Sequence, residues 1–455
     1  MITLTEVASA VAGRAFGTAE LITNVITDTR AVTPGSLFVA LRGPRFDGHD
    51  FLREASHQGA VAAITNRPPE AGWPACVVVH DTRVALGQLA AYWRRKMAVK
   101  VVAVTGSNGK TSVKEMTAQI LARTASGIAT EGNLNNDIGM PLTLLRLRPH
   151  HRYAVVEMGM NRPGEIAALA AIAAPDIAVV TNAGSAHLAG LGSVQAIAEE
   201  KGQVYSALSE RGVAVINADD PFAAYWRGLS AGSVLTYGLQ AEADVSATFT
   251  LGAMGSDLAL QTSLWSDPLP VTWGLLGRHN VLNALAATAI AIAFGVPRTI
   301  IAEGLSAVRP VHGRLESGFG YAGSRVIDDT YNANPDSARA ALDVLAHLSG
   351  ERWFVLGDMA ELGPDAIRLH SAFGEAAARS GIGHLWTFGE FAQHASRSFG
   401  AKGRHYDDIE ILMRDLRDVL HKQAVVLVKG SRSMRMDRVV AGLQDTGGVN
   451  ATSIV

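Results

Sequence analysis

From Val101 to Met116 the chain reads VVAVTGSNGKTSVKEM: a hydrophobic strand, a glycine-containing turn, then Lys-Thr opening a helix. That context suits a phosphate-binding loop, because a helix N-terminus offers unpaired N–H groups and glycines let the backbone approach an anion closely. The stretch Gly106, Ser107, Asn108, Gly109, Lys110, Thr111 and Ser112 is therefore the candidate nucleoside-triphosphate-binding segment. Amides of Ser107 to Lys110 can face phosphate oxygens, Lys110 can neutralise the β/γ charge, and the Thr111 hydroxyl can ligate Mg²⁺. The general pattern puts a glycine five residues before Gly109, where this chain has Val104, so the motif is TGxNGKT. A turn that only caps a helix is the plainer alternative, and the strand, the lysine and the threonine together argue against it.

Further groups fall at strand ends. Glu157 closes YAVVEMG and His187 lies in AGSAHL after IAVVTN, both where a carboxyl edge of a parallel sheet would face a ligand. A strand-end acid is often merely solvated, and a loop histidine is more often structural than metal-bound. Lys201, in AEEKGQVY, reads on its own as an ordinary helix lysine. Asn280 and Asn283 stand three apart at the start of the small-residue helix GRHNVLNALAATAIA, which spacing alone makes a capped, tightly packed helix. Arg314 in HGRLE follows a turn-rich stretch, from which a cation reaches the phosphates once domains close. In VIDDTYNANPDS, Asp329 ends a strand and would face ribose or Mg²⁺, with Tyr331, Asn332 and Asn334 in its loop.

These positions need a scaffold of parallel strands. The runs VVAVT, YAVVEMG, IAVVTN and VAVINA are apolar throughout and separated by helical periodicity, the signature of βαβ units buried on both faces. A second such series, SRVIDD, RWFVLGD, HLWTFGE and AVVLVKGS, follows. Before the first, short β-type runs and Gly/Pro turns lead into an amphipathic pattern around Arg83 to Lys96. Between Thr236 and Trp273 an alternating, turn-rich pattern predicts a small antiparallel segment closing the central domain. Pro297 and the stretch 308–313 read as a linker. The expectation is an α/β protein of three domains: a small α/β domain at 1–82, a central doubly wound parallel sheet of the P-loop ATPase type at 83–311, and a C-terminal Rossmann-like domain at 312–455.

Composition bounds the function. With 455 residues, 48% apolar and 18% charged, the chain has material for sizeable cores, and its mean hydropathy is +0.16. Forty Lys+Arg against 42 Asp+Glu leave a net charge of −2, so no global field favours nucleic acid or an anionic membrane. The lone Cys76 excludes an internal disulfide and reads as a buried apolar residue in a reducing compartment. The amino terminus lacks the signal-peptide pattern, and the longest apolar stretch, 284–296, is short of the roughly 20 residues that span a bilayer. A cytosolic protein acting on small molecules, as a monomer, is expected.

The loop TGSNGKTS resembles that of the Mur ligase and folylpolyglutamate synthetase superfamily, ATP-dependent enzymes joining an amine to a carboxylate. The segments TDTRAVTPGSLFVALRGPRFDGHDF, TEGNLNNDIGMPLTLL, EMGMNRPGEI, DDTYNANPDS and VLGDMAELG, with His370 after the last, extend the likeness to Mur ligases over essentially the whole chain. The resemblance implies Mg²⁺ at Thr111, Glu157, His187 and a carbamylated Lys201, and the adenine end of ATP at Asn280 and Asn283. It further implies a UDP-sugar site at Thr29, Arg30, Arg42, Gly43, Asp47 and His49. The peptide part would meet Asn133, Asn135, Asn136 and Asp137, and the amine substrate Tyr331, Asn332 and Asn334. The implied reaction adds D-Ala-D-Ala to a UDP-linked muramoyl-tripeptide through an acyl phosphate, with Lys110, Glu157, His187 and Lys201 catalytic. A sister ligase adding diaminopimelate or lysine to the UDP-dipeptide is the near alternative. A nucleotide-dependent switch is disfavoured by Lys110, Thr111, Glu157 and His187 together, and a dinucleotide oxidoreductase by the lack of G-x-G-x-x-G after the first strand.

Overall fold

The computed structural model describes residues 2–185 and 188–444. Among these the strands form three sheets, one per domain. The first has five strands, in the spatial order Arg14–Phe16, Ala75–Val78, Ala60–Thr65, Ser36–Val39, Asn24–Ile26, parallel except for the Arg14–Phe16 edge. Helix Thr82–Lys96 leaves it, started by the Asp81 carboxylate accepting from the Arg83 and Val84 amides. It joins two domains into one core, where Leu86, Leu89 and Trp93 pack with Val7 and Leu37 on one side and Val101 and Leu144 on the other. The Trp93 indole N–H donates to Leu147 O at 3.0 Å.

The central sheet has nine strands. Its parallel part runs in the order Ser233–Tyr237, Val213–Asn217, Ile177–Val180, Lys100–Thr105, Tyr153–Glu157, Gly127–Ala129. The middle strands are apolar in both directions because both faces are covered. Thr82–Lys96, Glu165–Ala173 and Val194–Ser206 supply one layer through Leu89, Leu169 and Ile197. Lys110–Leu121 and Arg278–Phe294 supply the other through Met116, Ile120 and Leu285. Helix Arg278–Phe294 is buried on almost every side, which its run of alanines permits.

The strands Val245–Leu251, Ser256–Thr262 and Leu269–Trp273 form the small antiparallel segment expected at the end of the central domain. Val245 pairs in parallel with Tyr237, so they prolong the same sheet. Pro297 is no linker: with its fixed φ it caps helix Arg298–Ser306, which packs back on the central domain through Ile301 and Leu305.

The C-terminal sheet has six strands, ordered Glu316–Phe319, Arg325–Asp329, Ala424–Lys429, Glu351–Gly357, His384–Phe388, Gly403–Tyr406, with only the first antiparallel. Pro335–His347 and Ala366–Arg379 cover one face, Ile409–Val419 and Asp437–Leu443 the other. Among the described residues no helix is long and apolar enough to cross a membrane. Cys76 is buried, and burial pushes its thiol up to about 11.

Candidate active site

The loop after strand Lys100–Thr105 is shaped by contacts a larger residue would break. At Gly106 φ is +146°, and a Cβ there would stand 1.8 Å from Thr181 Oγ1. At Gly109 φ is +82°, and a Cβ would stand 2.4 Å from Asn283 Oδ1. The second glycine caps helix Lys110–Leu121 in the left-handed conformation that L side chains disfavour. The loop's outer turn is pinned by Asn182, whose Oδ1 accepts from Asn108 N at 2.9 Å and whose Nδ2 donates to Asn108 O at 3.0 Å.

Behind the loop lies a chain of polar contacts. Thr111 Oγ1 donates to Glu157 Oε2 at 2.9 Å and accepts from Arg314 Nη2 at 2.9 Å. The other Glu157 oxygen accepts from Asn135 Nδ2 at 2.7 Å, and its amide donates to Thr130 Oγ1. Lys110 Nζ donates to Gly106 O at 2.7 Å and Ser107 O at 3.4 Å, folded over its own loop. Burial pushes its ammonium below the ordinary lysine range, with Glu157 working against that. Lys201 is 1% exposed, and burial, then the charge of Lys110, drive its ammonium far down. Among the described residues no hydrogen bond or ion pair meets the Lys201 Nζ. His187 lies outside the described residues.

The C-terminal domain completes the site across a cavity of about 1150 Å³. The Arg314 guanidinium lies over the Tyr331 ring at 4.2 Å, and among the described residues its buried Nε has no hydrogen-bond partner. Asn334 caps helix Pro335–His347 and reaches Asn108 Oδ1 at 2.8 Å. Asp336 Oδ2 accepts from the Ser185 amide at 2.6 Å. Asp329 lines the cavity with its carboxylate already engaged: Lys429 Nζ donates to its Oδ2 at 2.5 Å and to Asn332 O at 3.0 Å, and Asp329 Oδ1 accepts from Leu315 N. Burial pushes the Asp329 carboxyl up, with Lys429 and Arg314 opposing.

The cavity thus gathers Ser107, Asn108, Gly109, Lys110, Ser112, Asn135, Asn136, Asp137, Glu157, Asn280, Asn283, Arg314, Asp329, Tyr331, Asn332 and Asn334. Gly106, Thr111 and Lys201 are not among its lining residues. Asn280 and Asn283 serve the loop from beneath, Asn283 donating to Asn280 Oδ1 at 3.1 Å and Asn280 to Leu276 O at 2.9 Å. Asn136 accepts from the amides of Ile138 and Gly139 as a helix cap, Asp137 pairs with Arg83, and Asn133 is exposed outside the cavity.

The N-terminal candidates form a separate group. Asp47 accepts from the His49 amide at 3.0 Å and ring Nδ1 at 2.6 Å, and pairs with Arg67 at 2.5 Å. Burial opposes ionisation there, yet His49 and Arg67 hold the carboxyl below its usual range. Arg42 bridges to Asp47 and Gly43 N donates to Phe46 O at 3.0 Å, so this loop is knotted on itself. Arg30 is exposed and paired with Asp28, beside Thr29.

Sequence reasoning missed Arg83, Asn182, Asp336, Lys429 and Arg432, all lining the cavity. Lys429 and Arg432 end and follow the strand AVVLVKGS, so position at a carboxyl edge was the available signal. Asp336 and Asn182 had none beyond proximity to motifs.

Comparison with known proteins places the geometry in context. Residues 21–94 match the Mur ligase family catalytic domain, 104–291 the Mur ligase middle domain, and 313–432 the Mur ligase glutamate ligase domain. The chain is 42% identical to the UDP-N-acetylmuramoyl-tripeptide--D-alanyl-D-alanine ligase of Escherichia coli over 98% of this chain and 99% of that protein. It is 35% identical to the enzyme of the same name from Bacillus subtilis, over 93% of each. The crystal structure of MurF from Acinetobacter baumannii superposes with a TM-score of 0.91 at 36% identity, covering 96% and 98%. MurF of Thermotoga maritima in complex with ADP gives 0.83 at 30%, covering 92% and 96%.

Proposed function

This chain belongs to the Mur ligase family, and from that membership we propose that it joins D-Ala-D-Ala to UDP-N-acetylmuramoyl-tripeptide with ATP. The products are the UDP-linked pentapeptide precursor of peptidoglycan, ADP and phosphate. The observation that carries this reading is the cross-domain contact of Arg314 with Thr111, which puts a cation of one domain on the phosphate loop of another. The substrates are those of cytoplasmic precursor synthesis, and one chain suffices for the cavity.

The residues fit the nucleotide and its metal. The glycines at 106 and 109 let the loop lie directly on Thr181 and Asn283, where a Cβ has no room, and Thr111 with Glu157 offers adjacent hard oxygen donors of the kind Mg²⁺ takes. Bound there, Mg²⁺ would neutralise charge on the phosphates. Lys201, buried and with its ammonium disfavoured by burial and by the charge of Lys110, is suited to add carbon dioxide, its nitrogen forming the carbamate and releasing one proton. His187 is the further metal ligand in this reading.

The reaction runs in two displacements. A carboxylate oxygen of the tripeptide takes the γ-phosphoryl group, and ADP leaves. The dipeptide amine then attacks the acyl carbon, phosphate leaves, and the nitrogen loses a proton. Lys110 and Arg314 stabilise the charge that builds on the transferring group, and rotation of the third domain onto the second would exclude water from it. We assign the UDP-sugar end to residues 1–82 with Thr29, Arg30, Arg42, Gly43, Asp47 and His49. ATP falls to 83–311, its adenine end beside Asn280 and Asn283 and its ribose near Asp329, and the dipeptide to 312–455 near Tyr331, Asn332 and Asn334. The peptide part runs past Asn133, Asn135, Asn136 and Asp137.

The test is phosphate release with ATP, Mg²⁺, UDP-N-acetylmuramoyl-tripeptide and D-Ala-D-Ala, omitting each in turn. Release that needs all four, with a product heavier by the dipeptide minus water, is expected. Turnover only with UDP-dipeptide and diaminopimelate or lysine would move the chain to the sister ligase.

A further inference from the structure

The cavity's cations are almost all committed. Arg83 pairs with Asp137, and Lys429 with Asp329. Lys110 and Arg314 are turned onto the phosphate loop, at Gly106 O and Thr111 Oγ1. Arg432 is different: it lines the cavity, is exposed, and among the described residues its side chain has neither a hydrogen bond nor an ion pair.

Its backbone is nonetheless held in place. Ser431, 2% exposed, accepts from Ala360 N at 2.7 Å, donates to Ala333 O at 3.3 Å, and gives its own N–H to Asp358 O at 3.0 Å. One buried serine therefore knits three loops at the carboxyl edge of the C-terminal sheet, and Arg432 follows it in the short helix Arg432–Met434. A pre-placed backbone with an unpaired guanidinium is what a carboxylate ligand requires, since planar bidentate pairing needs orientation more than reach.

Resting on the proposed reading, the dipeptide has its reacting amine at one end and a carboxylate at the other. The amine must reach the phosphate loop, so the carboxylate faces the C-terminal wall. We propose that Arg432 is the specificity residue that binds the free carboxylate of the incoming D-Ala-D-Ala and so selects a peptide acid over a neutral amine of the same shape.

The experiment compares D-Ala-D-Ala with its C-terminal amide in parent, Arg432→Gln and Arg432→Lys full-length enzymes. The parent should prefer the acid. Arg432→Gln should lose about 10- to 100-fold in kcat/KM for the acid, the range of a hydrogen bond to a charged group, mainly through KM. It should leave the amide, and the KM of ATP and of the UDP-tripeptide, unchanged. Arg432→Lys should recover part of the loss. Equal losses on acid and amide, or no loss at all, would overturn the assignment. A parent inactive with both dipeptides yet active with UDP-dipeptide and diaminopimelate or lysine would instead remove the functional reading, and this inference with it.

Discussion

The two sheet edges that face each other across the cavity solve the same problem differently. At the central edge the loop is shaped by its backbone: glycines at 106 and 109 let it lie against the side chains beneath, Thr181 and Asn283. At the C-terminal edge the loops are knitted by side chains, Lys429 to Asp329 and Ser431 to its neighbours. On the proposed reading the first arrangement separates function from stability, because Lys110 rests on loop carbonyls rather than in a buried ion pair. The second couples them, because the same side chains shape the wall and hold it up.

The largest expected effect tests the first half of that contrast. Lys110→Ala should lower kcat by about 10³-fold, the scale of removing one preorganised charge at a transferring group. Its unfolding midpoint should stay near the parent's in thermal denaturation. A large drop in the midpoint would show that the central edge is as structural as its counterpart.

Lys429→Met probes the second half. It strands Asp329 as a buried carboxylate without its cation, and breaking such a pair costs about 3–5 kcal/mol. Denaturant unfolding should register that loss together with reduced activity, and adding Asp329→Asn should restore much of the stability. A variant of undiminished stability would dissolve the contrast.

The smallest effect sharpens the boundary between the edges, at His279 beside Lys429. Burial, with the charge of Lys429 added, pushes this imidazole down to about 4 from an ordinary 6.5. The unfolded chain then takes up a proton near pH 6.5 while the folded chain refuses it until about pH 4. Stability from this group is full above pH 6.5 and lost as pH falls toward 4, so His279→Gln should flatten the acid limb of a midpoint-against-pH curve. An unchanged curve would mean His279 is not held neutral.

How far the chain could be read depends on the range of the interactions involved. The strand, turn and helix of the candidate phosphate loop were legible because their logic is local: glycines, lysine and helix start lie within a few consecutive residues. The parallel sheets were legible from apolar runs that only two-sided burial explains. Pro297 misled because a proline that ends one element also starts the next, and nothing local says whether helix Arg298–Ser306 returns to the core.

Sequence by itself determined the three α/β units, the nucleotide loop and the kind of ligase this likeness implies. Only the tertiary structure decided that Asp329 is bound to Lys429, 100 residues away in the chain, and that Arg314 reaches Thr111, 203 residues away. It likewise decided that Asp47 and His49 are tied to their own loop and Arg67. The physical reason is that a residue type fixes which bonds a side chain can form, whereas burial and the return path of the chain fix which partner is there to form them.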